Sequence, residues 1–133
     1  MGLDMYLRGR KHHFPCQNEM NNVTEDGFLV VATELDLGYW RKHPNLHGFI
    51  VHTFAEGVDE CQPISLNIDQ LNMTISAIKH EQLIPTTGFF FGKSQGTKEQ
   101  QFEDLRIMEA ARDWLARIPN ANEYRTVYYQ ASW

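Results

Sequence analysis

The segment LGYWRKHPNLHGF, residues 37–49, concentrates side-chain types that bind ligands. Trp40 offers an aromatic face for stacking, and Arg41 offers a guanidinium that pairs with carboxylates and phosphates. His47 adds an imidazole that exchanges a proton near neutral pH. On one helix, Trp40 and His47 would share a stripe with Arg41 on its shoulder, which favours a surface for an aromatic or phosphorylated ligand. The alternative is that Trp40 packs against the core at the start of a helix while the basic residues are exposed to solvent.

Arg41 has no carboxylate three or four positions away in the sequence. It is therefore available to an external anion, or to a distant acid such as Asp4 or Asp59. A cleft lined by the candidate residues would indicate a ligand, whereas a flat aromatic patch would indicate a protein partner. The predicted ligand- or partner-binding residues are Trp40, Arg41, His47 and Gln130, and the predicted anion contacts are Lys42 and Lys93.

The run GFFFGKS, residues 88–94, ends like a phosphate-binding loop, G-x-x-x-x-G-K-[ST]. Gly88 lies one residue too close to Gly92, and three phenylalanines cannot supply the small, turning backbone that such a loop needs. A nucleoside-triphosphatase is therefore not indicated. A weaker expectation is that residues 92–97 lead into a helix whose N-terminus attracts anions. The alternative is a strand-to-helix turn with a solvated lysine.

Histidine and cysteine are spread along the chain without the paired short spacings of a zinc site. We therefore predict no metal and no other cofactor. Residue types alone allow a nucleophile pair of Cys61 or Cys16 with His47 or His43, but nothing around either cysteine resembles a nucleophile setting. Cys61 is more simply a small residue buried before a strand. No catalytic residue is assigned from the sequence.

Size and charge limit the classes of function. The 133 residues suit one domain, and the net charge of -5 argues against binding along a nucleic-acid backbone, which needs a basic stripe. No apolar run approaches the roughly 20 residues that cross a bilayer, so no membrane association is predicted. Two cysteines far apart indicate reduced thiols and a cytoplasmic protein. The oligomeric state stays open.

Hydrophobic periodicity and turn signals predict the elements that would position these residues. Five strands are expected, at residues 3–8, 28–35, 61–66, 89–91 and 124–133. Three helices are expected: one that starts near Leu37 with a kink or starts at Pro44, one after Asn67, and one from Thr97 to about Ile118. The order β-β-α-β-α-β-α-β predicts a single α+β domain over residues 1–133, with a mixed or antiparallel sheet of about five strands covered by about three helices.

Caps and apolar stripes refine this prediction. Two capping-box spacings are present, Asn67 with Gln70 and Thr97 with Gln100. The three predicted helices have the following buried stripes: Leu46, Phe49 and Ile50; Ile68, Leu71, Ile75 and Ile78; Phe102, Leu105, Met108, Ala111, Leu115 and Ile118. Pro63 indicates an edge strand or a strand start. The last strand carries aromatic residues on both faces, which predicts that it lies inside the sheet.

Several short motifs together carry a resemblance. They are MGLDMYL at the start, LGYWRK with His47 downstream, GVDECQ before a strand, GFFFG, EDL in the long helix and a terminal YYQASW. Over nearly its whole length the chain resembles a family of small uncharacterised proteins from bacteria, their phages and prophages. Some members are labelled phosphoglycerate kinase, a label that this chain is far too short to support. Pro44 departs from similar sequences, which continue the helix there with residues such as alanine.

The resemblance implies a phage or prophage context and supplies no catalytic residues. With the acidic charge and small size, it predicts a non-catalytic binding protein that engages a host protein or a small anionic ligand, with a role in host takeover or anti-defence. The alternative is a small enzyme that acts on a nucleotide or another phosphorylated metabolite, with Arg41, Lys42, His47 and Lys93 as its anion-handling groups.

Overall fold

A computed structural model describes residues 2–14, 22–86, 93–119 and 123–133. Within them the chain is an α+β domain, as predicted. The elements in chain order are β1 Asp4–His13, β2 Thr24–Glu25, β3 Phe28–Leu29, β4 Ala32–Arg41, α1 Pro44–Phe54, β5 Ile64–Leu66, α2 Ile68–Lys79, α3 Lys98–Ala116 and β6 Glu123–Ser132. The strand predicted at residues 89–91 lies outside the described residues.

Four of the strands form one antiparallel sheet in the order β4-β1-β6-β5. The prediction that the last strand lies inside the sheet is therefore confirmed, since β6 pairs with β1 on one side and β5 on the other. The strand after Pro63 is at the edge, as that proline indicated. The two short strands β2 and β3 form a separate hairpin, whose turn residues Asp26 and Gly27 both have positive φ.

Three predicted strand boundaries are wrong. The strand expected at residues 61–66 begins only at Ile64, after Pro63. The strand expected at residues 3–8 continues to His13, and the strand expected at 28–35 is replaced by the hairpin and by β4, which runs to Arg41. The reason is cross-strand pairing: β4 lies along β1 from His12 opposite Ala32 to Asp4 opposite Arg41. Such pairing joins residues far apart in the sequence, so local periodicity could not reveal it.

The segment 37–49 is therefore a strand end followed by a helix. Trp40 and Arg41 lie in β4, and α1 begins at Pro44 rather than near Leu37. Proline suits the first helical turn because its missing N–H would have no helical acceptor there. Its ring also disfavours helical geometry at His43, so the helix cannot extend backwards. The expectation that Trp40 and His47 share a helical stripe is wrong for this reason.

The helices cover one face of the sheet and enclose the core. Core side chains of the sheet alternate along β1 and β6, and those of α1 and α2 follow the predicted spacing: Leu3, Met5, Leu7, Val127, Tyr129, Ala131, Leu46, Ile50, Leu71, Ile75 and Ile78. Phe49 and Ile68 depart from their predicted burial. Phe49 is half-buried against Phe54, and Ile68 is 37% exposed.

The buried face of α3 differs from the predicted stripe. Phe102 and Ile118 are 70% and 94% exposed. The buried residues of this helix are Asp104, Ile107, Met108, Ala111 and Trp114. The stripe is displaced because an acidic residue, Asp104, occupies a core position where hydrogen-bond donors surround it. Gly38 makes room for Ile107 of the same helix: a Cβ there would lie 2.3 Å from Ile107 Cγ2, so only glycine lets α3 approach β4 this closely.

No helix in the described part of the chain is both long and apolar enough to span a membrane.

Candidate functional site

Asp104 is the centre of a buried hydrogen-bond network beneath α3. Its Oδ1 accepts from the indole Nε1 of Trp40 and from Nε2 of Gln100, each at 2.8 Å, and its Oδ2 lies 2.7 Å from Nε2 of His43. The carboxyl group and the imidazole are both nearly inaccessible to solvent. Indole and amide N–H groups can only donate, so Oδ1 of Asp104 is the acceptor for both of these partners. With Asp104 ionised, Oδ2 is an acceptor as well, and the His43 Nε2 then carries the hydrogen of this bond.

Ser94 extends the network from His43 into a cavity. Its Oγ lies 2.8 Å from His43 Nδ1 and also accepts from the backbone N–H of Asn45 at 3.1 Å. In the neutral ring with its hydrogen on Nε2, Nδ1 is an acceptor. In this tautomer the Ser94 hydroxyl donates to His43, and its oxygen accepts from the Asn45 N–H. The three side chains form a carboxylate–imidazole–hydroxyl series.

The starts of two helices position this series. His43 immediately precedes α1, and Asn45 lies in its first turn. Thr97 caps α3 by accepting from the backbone N–H of Gln100 at 3.1 Å. Only this half of the predicted capping box is present, because the Gln100 side chain bonds to Asp104 instead of the Thr97 backbone. The cap therefore links the start of α3 to the buried carboxylate.

A cavity of about 320 Å³, here called the His43 cavity, lies beside this series. It is lined by residues of α1, α2, α3 and their flanking segments: His43, Asn45, Ile78, Glu81, Leu83, Ser94, Gly96, Thr97, Lys98, Gln100, Gln101 and Asp104. The N-terminus of α3 opens onto it, with Lys98 and Glu81 as exposed charged residues of the lining. The cavity thus joins a buried imidazole and a serine hydroxyl to a positively polarised helix end.

A second buried network lies on the other side of α1. His47 Nδ1 is 2.5 Å from the hydroxyl of Tyr129, and its Nε2 is 3.0 Å from Oδ2 of Asp59. Trp133 donates its indole N–H to the other oxygen of Asp59 at 3.1 Å. Burial raises the pKa of Tyr129 well above its ordinary value, and the negative charge of Asp59 raises it further. Through these hydrogen bonds the end of β6 is linked to α1 and to the loop that follows α1.

Tyr129 should make the fold sensitive to alkaline pH. The unfolded chain releases the phenolic proton near pH 10, whereas the folded chain retains it. Tyr129 therefore stabilises the fold fully below pH 10, and this contribution should fall above it by about 1.4 kcal/mol per pH unit. Urea unfolding of the wild-type protein and of Tyr129→Phe between pH 8 and pH 11 measures this, and identical slopes in the two proteins would contradict it.

The residues predicted as a site from the sequence are not brought together. Trp40 points into the core and holds Asp104. Arg41, its neighbour on the strand, faces the opposite side of the sheet, with a side chain 60% exposed and Nε 3.8 Å from Asp4 Oδ1. His47 belongs to the second network, and Gln130 donates to the carbonyl of Cys61 at 2.9 Å.

The two predicted anion contacts also lie apart. Lys42 is exposed in the turn between β4 and α1, with φ of 55°. Lys93 is exposed and immediately precedes Ser94, and Lys42 immediately precedes His43, so each lysine is next in sequence to a residue that lines the cavity without lining it itself. Of the alternatives left open for Arg41, the structure provides the distant acid Asp4, in an exposed pair of the kind that contributes little to stability. Whether any of the predicted residues contacts a ligand stays a prediction.

Sequence reasoning misses Ser94 and Asp104, and it names His43 as a possible base for cysteine without including it in the predicted binding site. A signal for Asp104 was present, because it precedes Ile107, Met108 and Ala111 at helical spacing and so falls on their face. An acid on an apolar stripe is an unusual placement that predicts a buried partner.

Metal ligands and cysteine nucleophiles are the remaining candidates from the sequence. Among the described residues, no three His, Cys, Asp or Glu side chains converge as a group that could hold a metal ion. Cys61 is a half-buried free thiol, and Cys16 lies outside the described residues.

No protein-family model matches this chain, and no match was found among curated proteins or solved structures.

Proposed function

We propose that this protein binds a small anionic ligand and that the binding site is the His43 cavity. The observation that carries the proposal is the opening of a capped helix N-terminus onto a partly enclosed cavity with a buried imidazole in its wall. A volume of about 320 Å³ suits a metabolite or a short acyl or phosphate compound better than a macromolecule.

The backbone at the start of α3 supports an anion. The N–H groups of Gln100 and Gln101 bond to the side chain and the carbonyl of Thr97. The N–H groups of Lys98 and Glu99 precede any helical acceptor, and no described residue accepts from them. Two such donors at the positive end of a helix dipole favour a negatively charged group.

The side chains of the lining refine the kind of ligand. Lys98 adds a positive charge beside the helix end, while Glu81 places a negative charge on another part of the lining. Asp104 is already surrounded by three N–H donors, so its charge is compensated within the fold. A ligand with one anionic group and a hydroxyl or amine elsewhere would complement these groups.

Lys98 provides the test. Inorganic phosphate and glycerol 3-phosphate, titrated at constant ionic strength, should raise the melting temperature of the wild-type protein in a saturable way. Lys98→Gln should weaken the apparent affinity about 10-fold or more, as expected for loss of a charge-assisted hydrogen bond. Isothermal titration calorimetry gives the affinities directly.

Lys79→Gln is the matched control because Lys79 is an exposed lysine at the last turn of α2, paired with Glu109. It removes the same charge away from the cavity and should leave the affinity unchanged. Equal weakening by both variants would overturn the proposal. So would the absence of saturable stabilisation by either compound at concentrations up to about 10 mM, at which a ligand with a millimolar Kd is already bound.

The phage or prophage context and a host-protein partner stay predictions from the sequence. The uncovered face of the sheet is the place to seek such a partner, because exposed aromatic residues lie on it in two groups. Phe14 and Tyr124, which are 52% and 43% exposed, lie beside one end of β1, and Tyr39, which is 47% exposed, lies beside the other. Phe14 and His12 both stack on Tyr124, and Tyr6 packs on Tyr39.

A further inference from the structure

We propose that Ser94 is a nucleophile, activated by His43 and positioned through Asp104, and that the protein cleaves small esters in the His43 cavity. The inference shares its location with the proposed ligand site but rests on different evidence, namely the hydrogen bonds of the Asp104–His43–Ser94 series. It does not require an anionic substrate, so the two proposals can fail separately.

Protonation is the first requirement for an activated serine, and the geometry meets it. The base must accept from the hydroxyl, which requires a ring nitrogen without a hydrogen facing Ser94. The 2.7 Å contact from His43 Nε2 to Asp104 holds the hydrogen on the far side of the ring, and Nδ1 faces Ser94 at 2.8 Å. This is the logic of a serine–histidine–aspartate triad with the two ring nitrogens exchanged.

Rigidity is the second requirement. Asp104 cannot rotate freely, because Trp40 and Gln100 hold its other oxygen. The Ser94 oxygen receives the Asn45 N–H, which directs its own hydrogen towards His43. Asp104 and His43 are buried while Ser94 is only partly buried and lines the cavity, so the reacting atom is the accessible end of the series. Ser94 and His43 are the catalytic residues, and Asp104 is a positioning residue.

The reaction can be written with its atoms and protons balanced. Ser94 Oγ bonds to the ester carbonyl carbon as its proton passes to His43 Nδ1, and that proton then leaves with the alcohol when the ester C–O bond breaks. Water attacks the acyl-serine and gives a proton to Nδ1, which returns it to Ser94 as the acid departs. The net change is ester plus water to acid plus alcohol. The start of α3 lines the same cavity as Ser94, and its N–H groups are the donors that would stabilise the negative charge developing on the carbonyl oxygen.

Covalent labelling tests the nucleophile. A fluorophosphonate should add to the wild-type protein with loss of fluoride, giving one adduct that peptide mass spectrometry places on Ser94. Ser94→Ala should give no adduct and should reduce hydrolysis of p-nitrophenyl acetate to the background rate. Ser76→Ala, a serine exposed on α2, is the control and should react like the wild type. Absence of an adduct in the wild-type protein, or equal labelling of Ser94→Ala, would overturn the inference.

Asp104→Asn tests the positioning role with a readout that packing alone would not change. Asparagine can still accept from Trp40 and Gln100, but its NH₂ group faces His43 and requires Nε2 as the acceptor. The ring hydrogen should move to Nδ1, which nitrogen-15 NMR of the histidine detects. Labelling should then slow about 10³-fold or more, as an inverted tautomer does in serine proteases. A moved hydrogen with unchanged labelling would overturn the role of His43 as the base. An unmoved hydrogen in the folded variant would overturn that of Asp104.

Discussion

Asp104→Ala is expected to lower the free energy of unfolding by about 3–5 kcal/mol, because it leaves buried N–H donors without an acceptor. The alanine removes the acceptor of three N–H donors at once. Two of these donors belong to His43 and Trp40, which are 5% and 4% exposed, so water cannot replace the lost partner without opening the packing between β4 and α3. Each buried donor left without an acceptor costs roughly 1–3 kcal/mol, which supports the same range.

Glu103 is the matched control for this substitution. It is the preceding residue of the same helix, it has the same charge, and it is exposed in a pair with Arg106. Glu103→Ala should leave the urea midpoint nearly unchanged, whereas Asp104→Asn should fall between the two because it preserves the acceptor for Trp40 and Gln100. Similar midpoints for Asp104→Ala and Glu103→Ala would show that the buried network contributes little to folding.

The elements that sequence patterns predicted best are those whose determinants are local. Asn67 and Gln70 form the full reciprocal capping box at the start of α2, three residues apart in the chain. The stripe that follows is equally local, with Leu71, Ile75 and Ile78 buried as expected. Capping and helical spacing depend on neighbours within one turn or two, so the sequence contains the information directly.

The strand β4 was predicted at the wrong residues because the strand with which it pairs is distant in the sequence. Its residues find their conformation by pairing with β1, about 30 positions earlier in the chain. The strand was predicted at residues 28–35 because Val30 and Val31 are β-branched, whereas the observed strand begins after them. The sequence left two starts open for α1, and Pro44 is the observed one because proline acts locally.

The candidate site was hardest to predict because it joins residues that are far apart in the sequence. His43 and Asp104 are 61 positions apart, and Ser94 is 51 positions from His43. The attractive residue types in the segment 37–49 turned out to be divided between the two faces of the sheet and the two sides of α1. The residue types in this segment correctly indicated that it contributes to a site. They could not show that His43 rather than His47 lines the cavity, because that depends on the approach of α3 to β4.

Removing residues 128–133 is expected to abolish folding. The strand β6 is inside the sheet, and the deletion takes away its pairing with β1 from Asp4 to Arg8 and much of its pairing with β5. It also removes Tyr129, which is fully buried and bonded to His47. Loss of one large core ring alone costs about 3–5 kcal/mol, and a domain of ordinary stability has only about 5–15 kcal/mol in total.

The hairpin at residues 24–29 provides the contrasting deletion. All six residues are exposed, and the backbone N–H of Val30 already donates to the carbonyl of Val23 at 2.8 Å, so a two-residue Asn–Gly turn can join the flanking chain. That variant should keep a cooperative melting curve by circular dichroism, while the chain ending at residue 127 should show none. A cooperative transition near the wild-type temperature in the truncated chain would mean that β1, β4 and the helices form a core without β6. The sheet order would then be the wrong guide to which strand holds this fold together.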